Sequence, residues 1–327
     1  MSIGNSSPTA EVSYLRLAMS SNSTEQCHPP ELHPAIPAVL AILSTGGLVF
    51  NAFSLWIFWF TLKRWSSGVM LQFNLALADA IILPVTPLTV AYFSLGNHWP
   101  FGEFLCQFQV FLLSTHLYGS IYFLMLISVH RYQATVHYNA RSLWKKKSFL
   151  KKLVMVFWVL LFLQGFPVFF SLKTSVIDSK VKCLSIYQSE LSELYLAYSI
   201  VLGTLCFLLP FGVSSASYVM LGMAIANISQ ANLRGRVMKA KSIQMITIAL
   251  VIFAVCFTPL HICGTVAAIA GYYNLPCESL HNVEIAYYLS VVFTMVNCCL
   301  DPFLYNAANE KFHKFFFKSL GKLLFSK

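Results

Sequence analysis

Charge is what this chain has least of. Asp, Glu, Lys and Arg make up 10% of its 327 residues and hydrophobic residues 57%, against about 25% and about 45–50% in an ordinary soluble domain. A water-soluble core of this size has no room for that much apolar surface, so lipid is the solvent for much of the chain. Acid is scarcer than base, 12 residues against 22, for a formal charge of +10. In a membrane protein the placement of charge matters more than its sum, so the basic excess does not point to nucleic acid. Alternating apolar and polar strands are also missing, which sets a β-barrel aside.

What is present is a series of long apolar runs. Residues 32–62, 104–130, 153–172, 194–233, 242–277 and 285–300 contain no Asp, Glu, Lys or Arg, and residues 66–102 are interrupted only by Asp79. A bilayer core takes about 20 helical residues, so each run crosses. The fold class is an all-α membrane protein, a seven-transmembrane helix bundle. Its divisions are an outer segment at 1–33, the bundle at 34–306, and an amphipathic helix with a short tail at 307–327. With the N-terminus outside, the inner connections hold 18 of the 22 basic residues, among them Lys63, Arg64, Arg141, Lys145, Lys151 and Arg234. The outer segments keep Arg16, Lys173, Lys180 and Lys182 with nine of the twelve acids, from Glu11 through Glu284, so the positive-inside rule places the N-terminus outside the cell. No apolar signal core precedes Pro34, so the first span is expected to direct insertion with the polar start uncleaved. Sequons at Asn5 and Asn22 then face the outside as glycosylation sites, and Asn227 stays bare.

Cys27, Cys106, Cys183 and Cys277 fall at outer ends or loops, and the other five cysteines lie within runs. Four cysteines in an oxidising space allow two bridges and three pairings. The cysteines within spans read as small core packers, because no spacing among them suits a metal.

Each apolar run also carries a distinctive residue in a fixed order: Asn51 in GGLVFN, Asp79 in LALAD, Cys106 with Arg131 twenty-five residues on, Trp158, Pro210 with Tyr218, Phe257 and Pro259 in CFTP, and Asp301, Pro302 and Tyr305 in DPFLY. Together they resemble a rhodopsin-like (class A) G-protein-coupled receptor over nearly the whole chain. WPFG, LYGSIYFLMLISVHRY, CFTPLH and NCCLDPFLY resemble the branch that holds nucleotide and lysophospholipid receptors and related orphans. The resemblance implies bonds from Cys106 to Cys183 and from Cys27 to Cys277. It also implies a plasma-membrane receptor that couples an outward pocket to a heterotrimeric G protein.

Asp79 and Asp301 are expected to be the only acids deep in the spans, and a buried charge in lipid is costly enough to signal function. The resemblance makes Asp79, Ser120, Asn297 and Asp301, with Asn51 nearby, a sodium and water pocket that holds the resting state, since oxygen ligands suit a hard ion. The alternative is two protonated, hydrogen-bonded acids without an ion, and no other cofactor is expected. At the inner mouth the resemblance makes Arg131 the G-protein contact, flanked by His130 and Tyr132, with Tyr218 and Tyr305 as its active-state partners. Phe257 below Pro259 becomes a rotamer switch and Phe253 its relay. Pro210, Pro259 and Pro302 remove backbone bonds and provide bends. The family commonly has an acid where this chain has His130, and the foot of the sixth span offers Lys239. With no acid to restrain Arg131, basal signalling is expected. Tyr138 stands where a proline is usual, which weakens the docking contact expected there.

The outward pocket is expected to be lined by Tyr92, Val110, Leu113, Ser114, Leu117, Tyr118, His261, Thr265, Tyr287, Tyr288 and Val291. Leu113 replaces the acid that amine receptors of this family use, and Val110, Gly264 and Tyr288 stand where related nucleotide receptors carry basic residues. Phosphate recognition needs several donors, so an uncharged or lipid-like ligand is favoured, oriented by Ser114, Tyr118 and His261. The alternative is a pocket filled by its own side chains. Near the C-terminus, Lys311, Lys314, Lys318 and Lys322 share one helical side, with Phe312, Phe315, Phe316, Leu320 and Leu323 around the other. That helix is expected to lie on anionic lipid. Only Ser319 and Ser326 follow as phosphorylation sites, so arrestin recruitment is expected to be weak. The last span has no lysine for a retinal Schiff base. No HExxH or GxSxG stands on a span, so the chain is not read as an enzyme. A transporter is the alternative, without the internal repeats that class usually shows.

Overall fold

The computed structural model describes residues 33–62, 65–136, 143–177, 179–183, 192–226, 233–273 and 275–325. Backbone polar groups in lipid must be satisfied within the span itself, and the chain answers with helices. Six of them are long and apolar enough to cross a membrane. The second crossing is the exception. It consists of two shorter helices, Ser67–Ala80 and Thr86–Ser94, separated by turns at residues 81–85. Pro84 and Pro87 explain the break: each lacks an N–H, and Pro87 sits in the first turn of the second piece, where that donor is unneeded anyway. The Ser66 side chain caps the first piece by accepting from the Val69 N–H at 3.3 Å.

The first span is Ala35–Trp56 with a π-helical end at Ile57–Thr61. The third, Glu103–Val136, has 34 residues, roughly 50 Å at 1.5 Å per residue. Its middle is buried almost all round because it packs against the second, fourth and fifth spans. The fourth is Lys147–Gly165, followed by a single turn at Val168–Ser171 after Pro167. The fifth runs as Ser192–Val201 and Leu209–Ala226, joined by π-helical turns at Leu202–Leu208 just before Pro210. The sixth repeats the device: Leu233–Val251, π-helical Ile252–Phe257, then Thr258–Tyr272 with Pro259 at its start. In both spans the wide turns fall on the N-terminal side of the proline, where its missing donor and bulky ring disturb the regular ladder. The seventh span is Cys277–Ala308 and keeps Pro302 inside the helix.

Two cores result. The larger surrounds the middle of the third span, from Leu117 to Ile127, and reaches Tyr218, Phe253, Phe257 and Tyr305. The outer one gathers Tyr92, Phe93, Trp99 and Tyr288 around the Cys106–Cys183 bond. That bond, with Cα atoms 5.6 Å apart, ties the third span to a two-stranded hairpin. Strand β1 (Ser175–Ile177) pairs antiparallel with β2 (Lys180–Lys182), Val176 opposite Val181. Trp99 of the WPFG loop fastens the hairpin: its backbone N–H donates to the Val181 carbonyl at 2.8 Å and its indole Nε1 to the Gly102 carbonyl at 2.8 Å. Large apolar side chains such as Ile42, Trp59, Phe60, Leu163 and Phe170 remain exposed on the outside, the surface that lipid covers.

Cys277 is disulfide-bonded. Its expected partner Cys27, the sequons at Asn5 and Asn22, and Tyr138 lie outside the described residues. After the seventh span, Asn309 Oδ1 accepts from the backbone N–H of Lys311 and Phe312 and starts the helix Glu310–Phe325. Phe312 and Phe316 were expected to enter lipid. They are buried instead against Phe53, Phe58 and Tyr305, leaving Phe315 and Phe317 exposed. The helix follows the seventh span after one non-helical residue, so its first turns reach the bundle before they reach the acyl boundary. The side chains of Ser319, Leu320, Lys322 and Leu323, and residue Ser326, lie outside the described set.

Candidate functional site

The outer halves of the third, fifth, sixth and seventh spans diverge around a cavity of about 270 Å³. Val110, Leu113, Ser114, Leu117 and Tyr118 line it from the third span, His261 and Thr265 from the sixth, and Tyr287, Tyr288 and Val291 from the seventh. Tyr92 is not on its wall. It is buried behind, its ring 6.0 Å from that of Trp99 and 5.3 Å from that of Phe93, because the broken second span turns it into the outer core. Sequence reasoning missed the fifth-span wall, Leu194, Tyr195, Tyr198, Ser199 and Leu202, and the Pro167 to Leu172 turn. It also missed Gln164, whose side chain donates to Ser114 Oγ at 3.3 Å and whose carbonyl accepts from Tyr198 OH at 2.8 Å.

Glu284 corrects a further expectation. It was assigned to the outside because charge was used to mark where a span stops. The seventh helix begins at Cys277, so Glu284 is buried two turns inside it, lines the cavity, and accepts from Tyr288 OH at 2.8 Å. Asp79 and Asp301 are therefore not alone among acids within the spans. Among the described residues, no Lys or Arg lines the cavity.

Below the cavity floor the rings form a continuous line. Tyr118 meets His261 at 5.6 Å, His261 stacks on Phe207 at 4.2 Å, Phe207 stacks on Phe211 at 5.9 Å, and Phe211, Phe253 and Phe257 follow at 5.5 and 5.8 Å. The line crosses the π-helical turns of both the fifth and the sixth span. Thr258 Oγ1 donates back to the Phe253 carbonyl at 2.8 Å, the same oxygen that accepts the Thr258 backbone N–H at the end of the π-helical turn.

A second polar centre lies at mid-bundle. Asp79 Oδ1 accepts from Ser120 Oγ at 2.7 Å and from Asn297 Nδ2 at 3.2 Å. Asn51 Nδ2 donates to the Cys298 carbonyl at 2.8 Å and the Gly47 carbonyl at 3.1 Å, pinning the first span to the seventh. Asp301 is fully buried at the same level. Of the oxygen set expected to hold sodium, Ser120 and Asn297 meet at Asp79, and the polar groups around it are broader than oxygen. His116 Nδ1 stands 3.6 Å from Asp79 Oδ1, and Cys298 Sγ lies 3.7 Å from His116 Nε2. Neither residue was singled out from the sequence.

At the inner mouth Tyr218 and Tyr305 are both buried, and neither hydroxyl has a hydrogen-bond partner among the described residues. Tyr305 points its ring at Phe58 and Phe312, at 5.4 and 5.7 Å, toward the first span and the C-terminal helix. Arg131 and Tyr132 are half-buried at the foot of the third span, and His130 lies against the start of the second, where a Cβ on Gly68 would come 3.3 Å from its ring. Lys239 Nζ donates to the Ala226 carbonyl at 3.3 Å, joining the feet of the sixth and fifth spans.

Comparison with known proteins points one way. The family described as "7 transmembrane receptor (rhodopsin family)" matches residues 50–305. Purinoceptor 2 of Mus musculus is 32% identical over 281 residues, 86% of this chain and 75% of the relative. Purinoceptor 4 of Mus musculus is 31% identical over 283 residues, 85% and 76%. Purinoceptor 3 of Gallus gallus is 31% identical over 284 residues, 85% and 86%.

Proposed function

Because the chain belongs to the rhodopsin family of seven-transmembrane receptors, a multi-pass plasma-membrane receptor that signals to heterotrimeric G proteins and not an enzyme or a transporter, we propose two refinements. Its outward cavity takes an uncharged, lipid-like ligand, and its inner mouth signals without one. The observation that carries the first is the lining itself: apolar and aromatic side chains, hydroxyls, one imidazole, the Glu284 carboxylate, and no cation among the described residues. The matched relatives are named as purinoceptors. A purine nucleotide would bring phosphates beside Glu284 with no guanidinium or ammonium on the described wall to meet them, and phosphate recognition depends on such donors. An apolar chain would instead bury itself against Leu113, Leu117, Leu202 and Val291, with Ser114, Tyr118 and His261 orienting a polar head.

Support for the second refinement is sequence: an imidazole, His130, precedes Arg131, and the foot of the sixth span carries Lys239 in place of an acid. A panel of G-protein activation in ligand-free cells, wild type against Arg131→Ala, tests it. Wild-type activity above the Arg131→Ala baseline is expected, and equal activity overturns it. Adding purine nucleotides and monoacylglycerols, which carry no phosphate, to the same panel tests the ligand class. A nucleotide response would overturn the uncharged-ligand reading and leave the basal one intact.

A further inference from the structure

We propose that the inner ends of the fifth and sixth spans hold one anionic phospholipid of the cytosolic leaflet, its headgroup on Lys239 and Arg236 and one acyl chain in the groove between the two helices. A cavity of about 330 Å³ opens there, lined by Tyr218, Gly222 and Ala226 from the fifth span and by Lys239, Ile243 and Thr247 from the sixth. Residues four and eight apart stand above one another on a helix, so each span offers one stripe, and the two stripes meet across the groove. Ile243 and Thr247 are exposed, and their stripe continues up the sixth span through exposed Leu250 and Val251. Only lipid reaches that height, so the groove opens to the bilayer. Gly222 keeps it deep, since a Cβ there would meet nothing within 4 Å.

The groove runs in the direction a lipid takes. Lys239 and Ala226 mark its cytosolic end, and Thr247 lies eight residues, roughly 12 Å, farther into the membrane, against about 15 Å for half of the hydrocarbon core. Selectivity comes from the head. Inside a bilayer an acyl chain gains little by leaving other chains for an equally apolar groove, whereas a charged headgroup gains from fixed cations. Lys239 Nζ donates to the Ala226 carbonyl at 3.3 Å, and an ammonium has three donors, which leaves two for a phosphate. Arg236 is exposed three residues earlier, on the same helical side. Residues 194–277 contain no Asp or Glu, so neither span supplies an acid of its own to these cations. The cytosolic leaflet does supply negative charge, and each basic residue beside it strengthens attachment about fivefold. Because the groove belongs to the arrangement described above, a lipid seated in it stabilises that arrangement by mass action. This inference does not depend on which ligand fills the outward cavity.

The test uses the full chain in phosphatidylcholine nanodiscs with a minor fraction of phosphatidylserine carrying a photoreactive diazirine on one acyl chain. After irradiation, mass spectrometry is expected to find the label concentrated at Ile243, Ile246 or Thr247. The same probe with a choline head should label the groove at least about fivefold less, and Lys239→Gln should cut labelling by the serine probe about fivefold. Gly222→Leu fills the groove with both cations intact and should abolish the label there. Lys152→Gln, at the foot of the fourth span, should leave it unchanged. Thermal unfolding shows that each variant is folded, and should Gly222→Leu fail to fold, the Lys239→Gln arm decides alone. Label spread evenly over the lipid-facing residues of every span, equal labelling by the two heads, full labelling of folded Lys239→Gln, or groove labelling that survives in folded Gly222→Leu would each overturn the proposal.

Discussion

Arg131 follows His130 in sequence, where the family commonly has an acid, and the foot of the sixth span carries Lys239. A carboxylate at position 130 would supply a charge-assisted partner that favours the resting arrangement. If that pair stabilises the resting form by about 1 kcal/mol, the active population falls about fivefold. His130→Asp should therefore cut ligand-free G-protein activation several-fold at matched surface expression, measured beside wild type in the same cells. Single residues were also where sequence reading was least complete. Asp79, Ser120, Asn297 and Asp301 were legible because a polar residue in an apolar run stands out and its motif gives it company. His116 and Cys298 were not: one lay in a stretch read for other positions, and the other passed as a core thiol. Their meaning depends on three helices meeting. Glu284 was misplaced for a related reason, since a charge near a helix end looks like the end until the helix is seen to start two turns earlier.

Helices here approach closely where side chains are absent. A Cβ on Gly119 would come 2.9 Å from Ala78 Cβ, between the third and second spans, and one on Gly47 would come 2.9 Å from Cys298 Cβ, between the first and seventh. Gly212 in the fifth span meets nothing within 4 Å. Gly119→Ala should thus destabilise by about 1–3 kcal/mol, the usual cost of overpacking, while Gly212→Ala should stabilise by about 0.5–1 kcal/mol through backbone entropy. Thermal unfolding of purified protein should move in opposite directions for the two. The C-terminal helix offers a second contrast. Phe312 is fully buried between Phe58 and Tyr305, whereas Phe317 is 52% exposed. Phe312→Ala should cost about 3 kcal/mol and lower the melting temperature, with Phe317→Ala close to wild type. The amphipathic pattern of this helix was legible, but amphipathicity names an apolar side without saying whether lipid or protein takes it. Likewise the second span's length was legible and its break was not, because counting apolar residues ignores what Pro84 and Pro87 do to a ladder.

For the molecule as a whole, the seven crossings could be read from sequence because lipid leaves the backbone so few solutions. The 18 of 22 basic residues assigned to one side predict an orientation with the N-terminus outside. An epitope placed before Pro34 should accordingly be stained on intact, unpermeabilised cells. Staining only after permeabilisation would reverse the topology, and with it the assignment of Arg131 to the cytosol. At that cytosolic face Lys239 Nζ holds the Ala226 carbonyl at 3.3 Å, so any parting of the fifth and sixth spans there first undoes this latch, an exposed contact whose two ends water can take over.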